Sequence, residues 1–289
     1  MGDSHVPDLV ASFFTLSGAG FGEPPRNSFV TRCEAAAAAG FTGIGLHAGD
    51  LPRTIAGGVD LSEMQAVLRI NGLQVVEIEF LGGWASPPVG NVPVPASLRG
   101  IEAVVEAFGG RHVSAGEFRG DVDLSTDAAL DTAAATLGTC AGRLGRRGLL
   151  VAVEAFPWSA ICTIGRAAEL VRRSGAANAG LMIDVWHFYN SGAGPDALAG
   201  LPGAGVAAVQ LNDGPLVSED FLRHARAERR LPGEGDLDVV GLVRAVRSTG
   251  FDGPYCVEVN TPDFRALPVD EAARRAADSA TSVLRSALG

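Results

Sequence analysis

Four oxygen-bearing side chains recur at one kind of place in the second half of this sequence: Glu154 in LLVAVEAF, Asp184 in AGLMIDVW, Gln210 in VAAVQLN and Glu258 in PYCVEVN. Each stands at or near the end of an apolar run, where a buried segment gives way to polar sequence. Three carboxylates converging in an apolar interior repel one another, and burying even one costs several kcal/mol unless it is paired or well hydrogen-bonded. The bland alternative is that each acid has its own Arg or Lys on a neighbouring strand. The runs around Glu154, Asp184 and Glu258 contain no basic residue, so a shared divalent cation is the expected compensation. Three carboxylates and an amide carbonyl form an all-oxygen ligand set suited to one hard ion, Mn²⁺ or Mg²⁺, with Co²⁺ also admitted. Such an ion would polarise a ketone and a neighbouring hydroxyl, acidify the C–H between them and stabilise an enediolate. Glu154 and Glu258, approaching from different sides, would then take and return the proton.

These residues need a scaffold that brings successive strand ends to one rim. Eight short apolar runs occur, at 9–16, 41–47, 73–81, 111–116, 149–156, 179–186, 206–212 and 254–260, with helical patterns between them. The helical stretches carry end signals. DLSEMQAVLRING opens on Asp60 with Glu63 three residues later, TIGRAAELVRRSG runs from Thr163 to Gly175, and DLDVVGLVRAVRSTG from Asp236 to Gly250. Near-continuous apolar strands indicate a parallel sheet covered on both faces. Eight such units in 289 residues predict a (β/α)8 TIM barrel whose active site lies at the C-terminal strand ends. A doubly wound sheet is disfavoured, because SGAGFGE at 17–23 lacks the third glycine of a dinucleotide-binding turn. No linker or composition shift divides the chain, so residues 1–289 are expected to form one domain, with GGWASPPVGNVPVP at 82–95 as an elaborated loop.

The formal net charge of −10 argues against nucleic-acid and anionic-membrane partners, which reward clustered Lys and Arg. Cys33, Cys140, Cys162 and Cys256 are scattered without a CxxC, suggesting neither a zinc ribbon nor a disulfide framework and fitting a reduced cytoplasm. No signal-peptide pattern or run approaching 18 apolar residues is present.

The segments VEAFPW, IDVWHF, VQLND and GPYCVEV resemble the xylose isomerase-like barrel family of sugar isomerases and epimerases, over nearly the whole chain. The resemblance implies one divalent metal held by the acid ending strand 5, the Asp of a DxxH motif, a strand-7 residue and a strand-8 Glu, which map to Glu154, Asp184, Gln210 and Glu258. Most members have histidine at strand 7. Glutamine there, with RHARAERRLPGEGDLDVVGLVRAV, is similar to the branch containing 3-dehydroshikimate dehydratases, whereas GLHAGDL and EIEFLGGW match that branch less closely. The family pattern also implies substrate contacts from His187, the DxxH histidine, from Arg230 before the PGxG turn, and from Glu234, which would orient that arginine.

His187 is therefore expected above the barrel mouth, where it could hydrogen-bond a substrate hydroxyl or shuttle a proton rather than merely pack between Trp186 and Phe188. His47, Glu77, Glu79, His112 and Glu117 stand near predicted strand ends as weaker candidates, and Trp84 and Trp158 could wall the site or pack helices. The expected function is a metal-dependent isomerase or epimerase of a sugar, keto-inositol or related polyol ketone acting through an enediolate. The alternative is a dehydratase in which the same enolate expels a β-hydroxyl. A zinc-dependent endonuclease on this barrel would need many histidine ligands and a basic groove, whereas the chain has five histidines and a net charge of −10. A barrel that merely binds a polyol would keep the whole acidic ring at an energetic cost. The partners expected are a small polyol or keto-sugar substrate and, from the family resemblance, copies of the chain in a homo-oligomer.

Overall fold

The computed structural model describes residues 7–86, 94–119, 121–200 and 205–289. Eight parallel strands close into one barrel: β1 (Leu9–Ala11), β2 (Gly43–His47), β3 (Gln74–Leu81), β4 (His112–Ala115), β5 (Leu150–Val153), β6 (Ala179–Asp184), β7 (Val206–Leu211) and β8 (Tyr255–Val257). They follow chain order around the barrel, and β8 pairs with β1 through Leu9↔Tyr255, Val10↔Cys256 and Ala11↔Val257. Helices cover the outside, so the strands are buried on both faces and carry few polar residues except at their upper ends. Ala152, Met182 and Ala208 pack together lower in the lumen, beneath the polar ends of β5, β6 and β7.

All eight apolar runs contain a strand, with one internal correction. The run 9–16 breaks after Ala11, because Ser12 caps the short helix Phe13–Ser17 by accepting from the Phe14 N–H. Apolarity alone does not distinguish a buried strand from a buried helical turn, and the cap decides. The capping box read from Asp60 and Glu63 forms at the helix Leu61–Ile70, and Thr163 and Gly175 bound the helix Ile164–Ser174. The third helix starts later than expected: Asp238, not Asp236, caps Val239–Ser248, because the Asp236 N–H donates to Gly214 O instead. Residues 87–93 of the 82–95 loop lie outside the described residues. Among the described residues no helix is long and apolar enough to cross a membrane.

Candidate active site

The register sets the rim. Asp184, the last residue of β6, pairs with Gln210 on β7, and Gln210 pairs with Cys256, two residues before Glu258. Glu154 and Glu258 stand just past the ends of β5 and β8, where their N–H groups still donate to Ala115 O and Leu211 O. All four side chains are buried.

Asp184 does two things with its two oxygens. Its Oδ1 accepts from the His187 N–H at 2.9 Å and so caps the helix Val185–Asn190, which explains why an apolar strand stops at an acid followed three residues later by histidine. Its Oδ2 accepts from Asn212 Nδ2 at 2.7 Å and from Arg229 Nη1 at 3.0 Å. Asn212 also accepts from the Trp186 N–H, fixing the start of that helix.

Arg229, like Asn212, is a residue that sequence reasoning missed. Its Nη1 lies 2.5 Å from Glu258 Oε2 as well as 3.0 Å from Asp184 Oδ2, and its Nη2 lies 2.6 Å from His187 Nε2. The basic partner absent from the strands therefore arrives from the connection between β7 and β8. Arg230, expected to face substrate, is exposed, and among the described residues its side chain reaches only Glu234 O, at 3.4 Å. The reason is strand alternation: Arg230 pairs antiparallel with Asp213 through both backbone hydrogen bonds, so its side chain points out and that of Arg229 points in. Glu234, expected to orient the arginine, is also exposed, with its carboxylate 3.9 Å from Arg275. Asp213 holds the whole turn by accepting from the N–H groups of Gly214, Gly233 and Leu237. A Cβ on Gly235 would collide with Asp213 Oδ1 and the Gly214 N–H, so this close approach requires glycine.

One guanidinium does not balance this lumen. Glu77, Glu79, Glu154, Asp184 and Glu258 are all buried here. Burial, with Glu77 and Glu258 nearby, holds the Glu79 carboxyl well above its ordinary range. Burial, with Asp184 and Glu258 nearby, does the same to Glu154. Burial pushes Glu258 up to about 7 against the pull of Arg229. For Asp184, burial is outweighed by Arg229, His187 and its hydrogen bonds, and its carboxyl stays low. Burial, reinforced by the charge of Arg229, lowers His187 to about 3 despite the adjacent Asp184. The imidazole is thus neutral at pH 7 and accepts from Arg229 through Nε2.

Part of the donor set fits a divalent ion. Among the described residues Gln210 Oε1 is buried without a hydrogen-bond partner, and Glu154, Asp184 and His187 each offer a ligating atom within 4.8 Å of the others; Glu258 stands outside that group, its Oε2 held by Arg229. His187 Nε2 lies 3.7 Å from Glu154 Oε1. The imidazole is also packed edge-on against Phe156, Trp158 and Trp186, at centroid distances of 4.9, 5.2 and 5.4 Å, so Trp158 helps wall the site. Trp84 is fully buried in the core.

The weaker candidates divide. Glu77 and Glu79 enter the lumen and touch Gln210, and His112 Nε2 pairs with Glu77 at 3.2 Å. His47 Nδ1 accepts from the Gly49 N–H at the start of its loop. Glu117 accepts from the backbone and side chain of Arg119. Asn212 and Arg229 could have been found from VQLND and RRLPGEG only by knowing which way each backbone faces.

Comparison with known proteins places the fold and the family. The chain is 31% identical over 253 residues to the 3-dehydroshikimate dehydratase of Pseudomonas aeruginosa, a match spanning 82% of this chain and 37% of that protein. It is 27% identical over 139 residues to the inosose isomerase of Halalkalibacterium halodurans, spanning 47% of this chain and 49% of that protein. This chain therefore covers about half or less of the length of these relatives. Among solved structures, the IOLI protein with a bound zinc atom has the same fold, with a TM-score of 0.82 at 16% identity over 96% of this chain and 98% of that one. The profile of the family described as xylose isomerase-like TIM barrel matches residues 33–286. With eight parallel strands closed in chain order and that match along most of its length, the chain belongs to the xylose isomerase-like TIM barrel family.

Proposed function

We propose that residues 1–289 form one barrel domain and that it is a divalent-metal-dependent enzyme removing the proton beside the carbonyl of a cyclic polyol ketone. The observation that carries this reading is the buried Gln210 Oε1, unpartnered among the described residues, in a lumen where the described acids outnumber the guanidinium of Arg229. Glu154, Asp184, Gln210 and Glu258 would hold the ion, with Mn²⁺, Mg²⁺ or Co²⁺ suited to the oxygen donors. When bound, the ion supplies Lewis-acid polarisation of the ketone and charge stabilisation of the enediolate.

The chain's own groups supply the remainder. Glu154 and Glu258 flank the reacting carbon as base and acid, one taking the proton and the other delivering one. Arg229, already between Asp184 and Glu258, would offer its planar donors to substrate oxygens. His187 would hydrogen-bond a hydroxyl, and the rings of Phe156, Trp158 and Trp186 around it exclude water.

Loss of a β-hydroxyl as water, the dehydratase outcome, is the reading we favour. One dehydratase match covers 82% of this chain and a second 48%, at 31% and 32% identity, against 47% at 27% identity for the inosose isomerase. A second support is a cavity of 830 Å³ that shares Trp158 with the site but is lined by none of the proposed metal ligands; its lining includes Arg223, Arg226 and Arg265 beside two acids, Glu23 and Asp220. Arg226 makes no ion pair among the described residues and lies over the Phe21 ring, which suits a ring carrying a carboxylate. Isomerisation of a neutral keto-inositol is the second reading, favoured by the isomerase match.

The test is turnover of 3-dehydroshikimate and of inosose by metal-stripped and Mn²⁺-loaded protein, with metal content measured in parallel. Metal-independent turnover, or no reaction with either ketone, would sink this reading. Arg226→Gln is expected to raise KM for 3-dehydroshikimate about tenfold, the effect of losing one charge-assisted hydrogen bond, with a much smaller change for inosose. Equal shifts for both ketones would remove the carboxylate from the argument.

A further inference from the structure

Beneath the proposed metal ligands lies a second buried layer that the reaction does not use. Glu77 on β3 stands across the lumen from Gln210 on β7, four strands away in the closed order. Glu77 Oε2 accepts from Gln210 Nε2 at 3.1 Å and lies 3.2 Å from His112 Nε2. Glu79 Oε1 lies 3.5 Å from the same Gln210 nitrogen and accepts from Ser12 Oγ at 3.3 Å. All of these residues are essentially without solvent exposure.

A glutamine amide has a donor end and an acceptor end of nearly equal size, and only the acceptor end can serve a cation. Turning the Gln210 amide over would bring its carbonyl oxygen against the Glu77 oxygen to which the amide nitrogen now donates. That contact is repulsive and would leave the NH₂ facing any cation. The register and the Glu77 carboxylate thus select one of two otherwise equivalent orientations. A strand-7 histidine would need the same support, since a metal-ligating imidazole donates its other N–H to a carboxylate.

Resting on the reading of Gln210 as a metal ligand, we propose that Glu77, held by His112, is a positioning residue that fixes Gln210 with its amide oxygen towards the cation. Glu77 touches neither substrate nor metal in this arrangement. Its role is to make a glutamine behave as a ligand of defined orientation. The pair also accounts for a buried acid and a buried histidine, at a level below the rim, that the chemistry leaves without a part.

The experiment is Mn²⁺ titration of wild type, Glu77→Gln, and the double variant Glu77→Gln with Gln210→Glu. In the single variant neither end of the Gln210 amide is favoured, and affinity is expected to fall about 10- to 100-fold, as when other outer-shell partners are lost. In the double variant the amide introduced at position 77 donates to the carboxylate introduced at position 210 and the charge count is restored, so affinity should return to within about tenfold of wild type. A role in packing alone would not be rescued by exchanging the two groups. Wild-type affinity in Glu77→Gln, or no recovery in the double variant with circular dichroism unchanged, would overturn the inference.

Orientation is read separately, without metal, from the Gln210 side-chain NH₂ resonances. Wild type is expected to show slowly exchanging, shifted protons that Glu77→Gln loses. Fast exchange in the wild type would overturn the inference even if an ion binds. Slow exchange without any ion binding would leave Glu77 orienting Gln210 while removing the metal reading of the site. Glu77, His112 and Cys256 also offer ligating atoms within 4.8 Å of one another. A stoichiometry of two ions per chain, falling to one in Cys256→Ala, would make Glu77 a ligand and overturn its positioning role.

Discussion

Glu258→Gln is expected to lower kcat by about 10²- to 10⁴-fold, the range attached to losing a positioned general acid or base. Glu258 sits just past β8 with Oε2 on Arg229, and its carboxyl is pushed up to about 7 by burial. Glutamine is nearly isosteric and retains an oxygen for the Arg229 contact, so the barrel should fold. The confounder is weaker metal binding, because the same oxygen atoms are offered to the ion. Measuring kcat at saturating Mn²⁺, with affinity determined by titration, separates the two. A kcat within tenfold of wild type under those conditions would remove Glu258 from the proton transfer. Substrate deuterated beside the carbonyl supplies the companion measurement: an isotope effect in single turnovers reports cleavage of that C–H bond, and its absence would place the slow step elsewhere.

The second large effect is on stability. Replacing Arg229 by Met should destabilise the metal-free protein by about 3–5 kcal/mol at pH 8, the usual result of removing one partner from a buried ion pair. Asp184 and Glu258 would be left in the lumen without their cation. The direction with pH follows from linkage. Arg229 pulls the Glu258 carboxyl down against burial, so removing it raises that carboxyl further and the folded variant binds more protons than folded wild type. Stability falls with rising pH wherever the folded state binds more protons than the unfolded chain. The deficit of the variant should therefore be smallest near pH 5, where protons neutralise Glu258, and grow as pH rises through 7 and above. Urea unfolding at pH 5, 7 and 8 reads this directly. Added Mn²⁺ should recover much of the loss, since a ligand that binds only the folded state stabilises it by mass action. A deficit independent of pH and of Mn²⁺ would show that Arg229 acts through packing.

The same residues show how far a sequence reaches. The barrel was legible because burial on both faces leaves a local signature, an apolar run bounded by helix caps, and eight such runs survive as eight strands. Glu154, Asp184, Gln210 and Glu258 could be named together because parallel strands in a closed sheet deliver their ends to one rim. What the sequence alone determined was thus anything carried by local periodicity repeated around a symmetric fold.

Tertiary structure decided the rest, and in each case the reason is direction. Whether Arg229 or Arg230 enters the lumen depends on an antiparallel bridge to Asp213, 17 residues earlier in the chain, and one step of alternation reverses the answer. Asp184 is both a helix cap and a partner of Arg229, a division between its two oxygens that no spacing encodes. Glu77 meets Gln210 across the full width of the barrel, 133 residues away, so their hydrogen bond exists only once the sheet has closed.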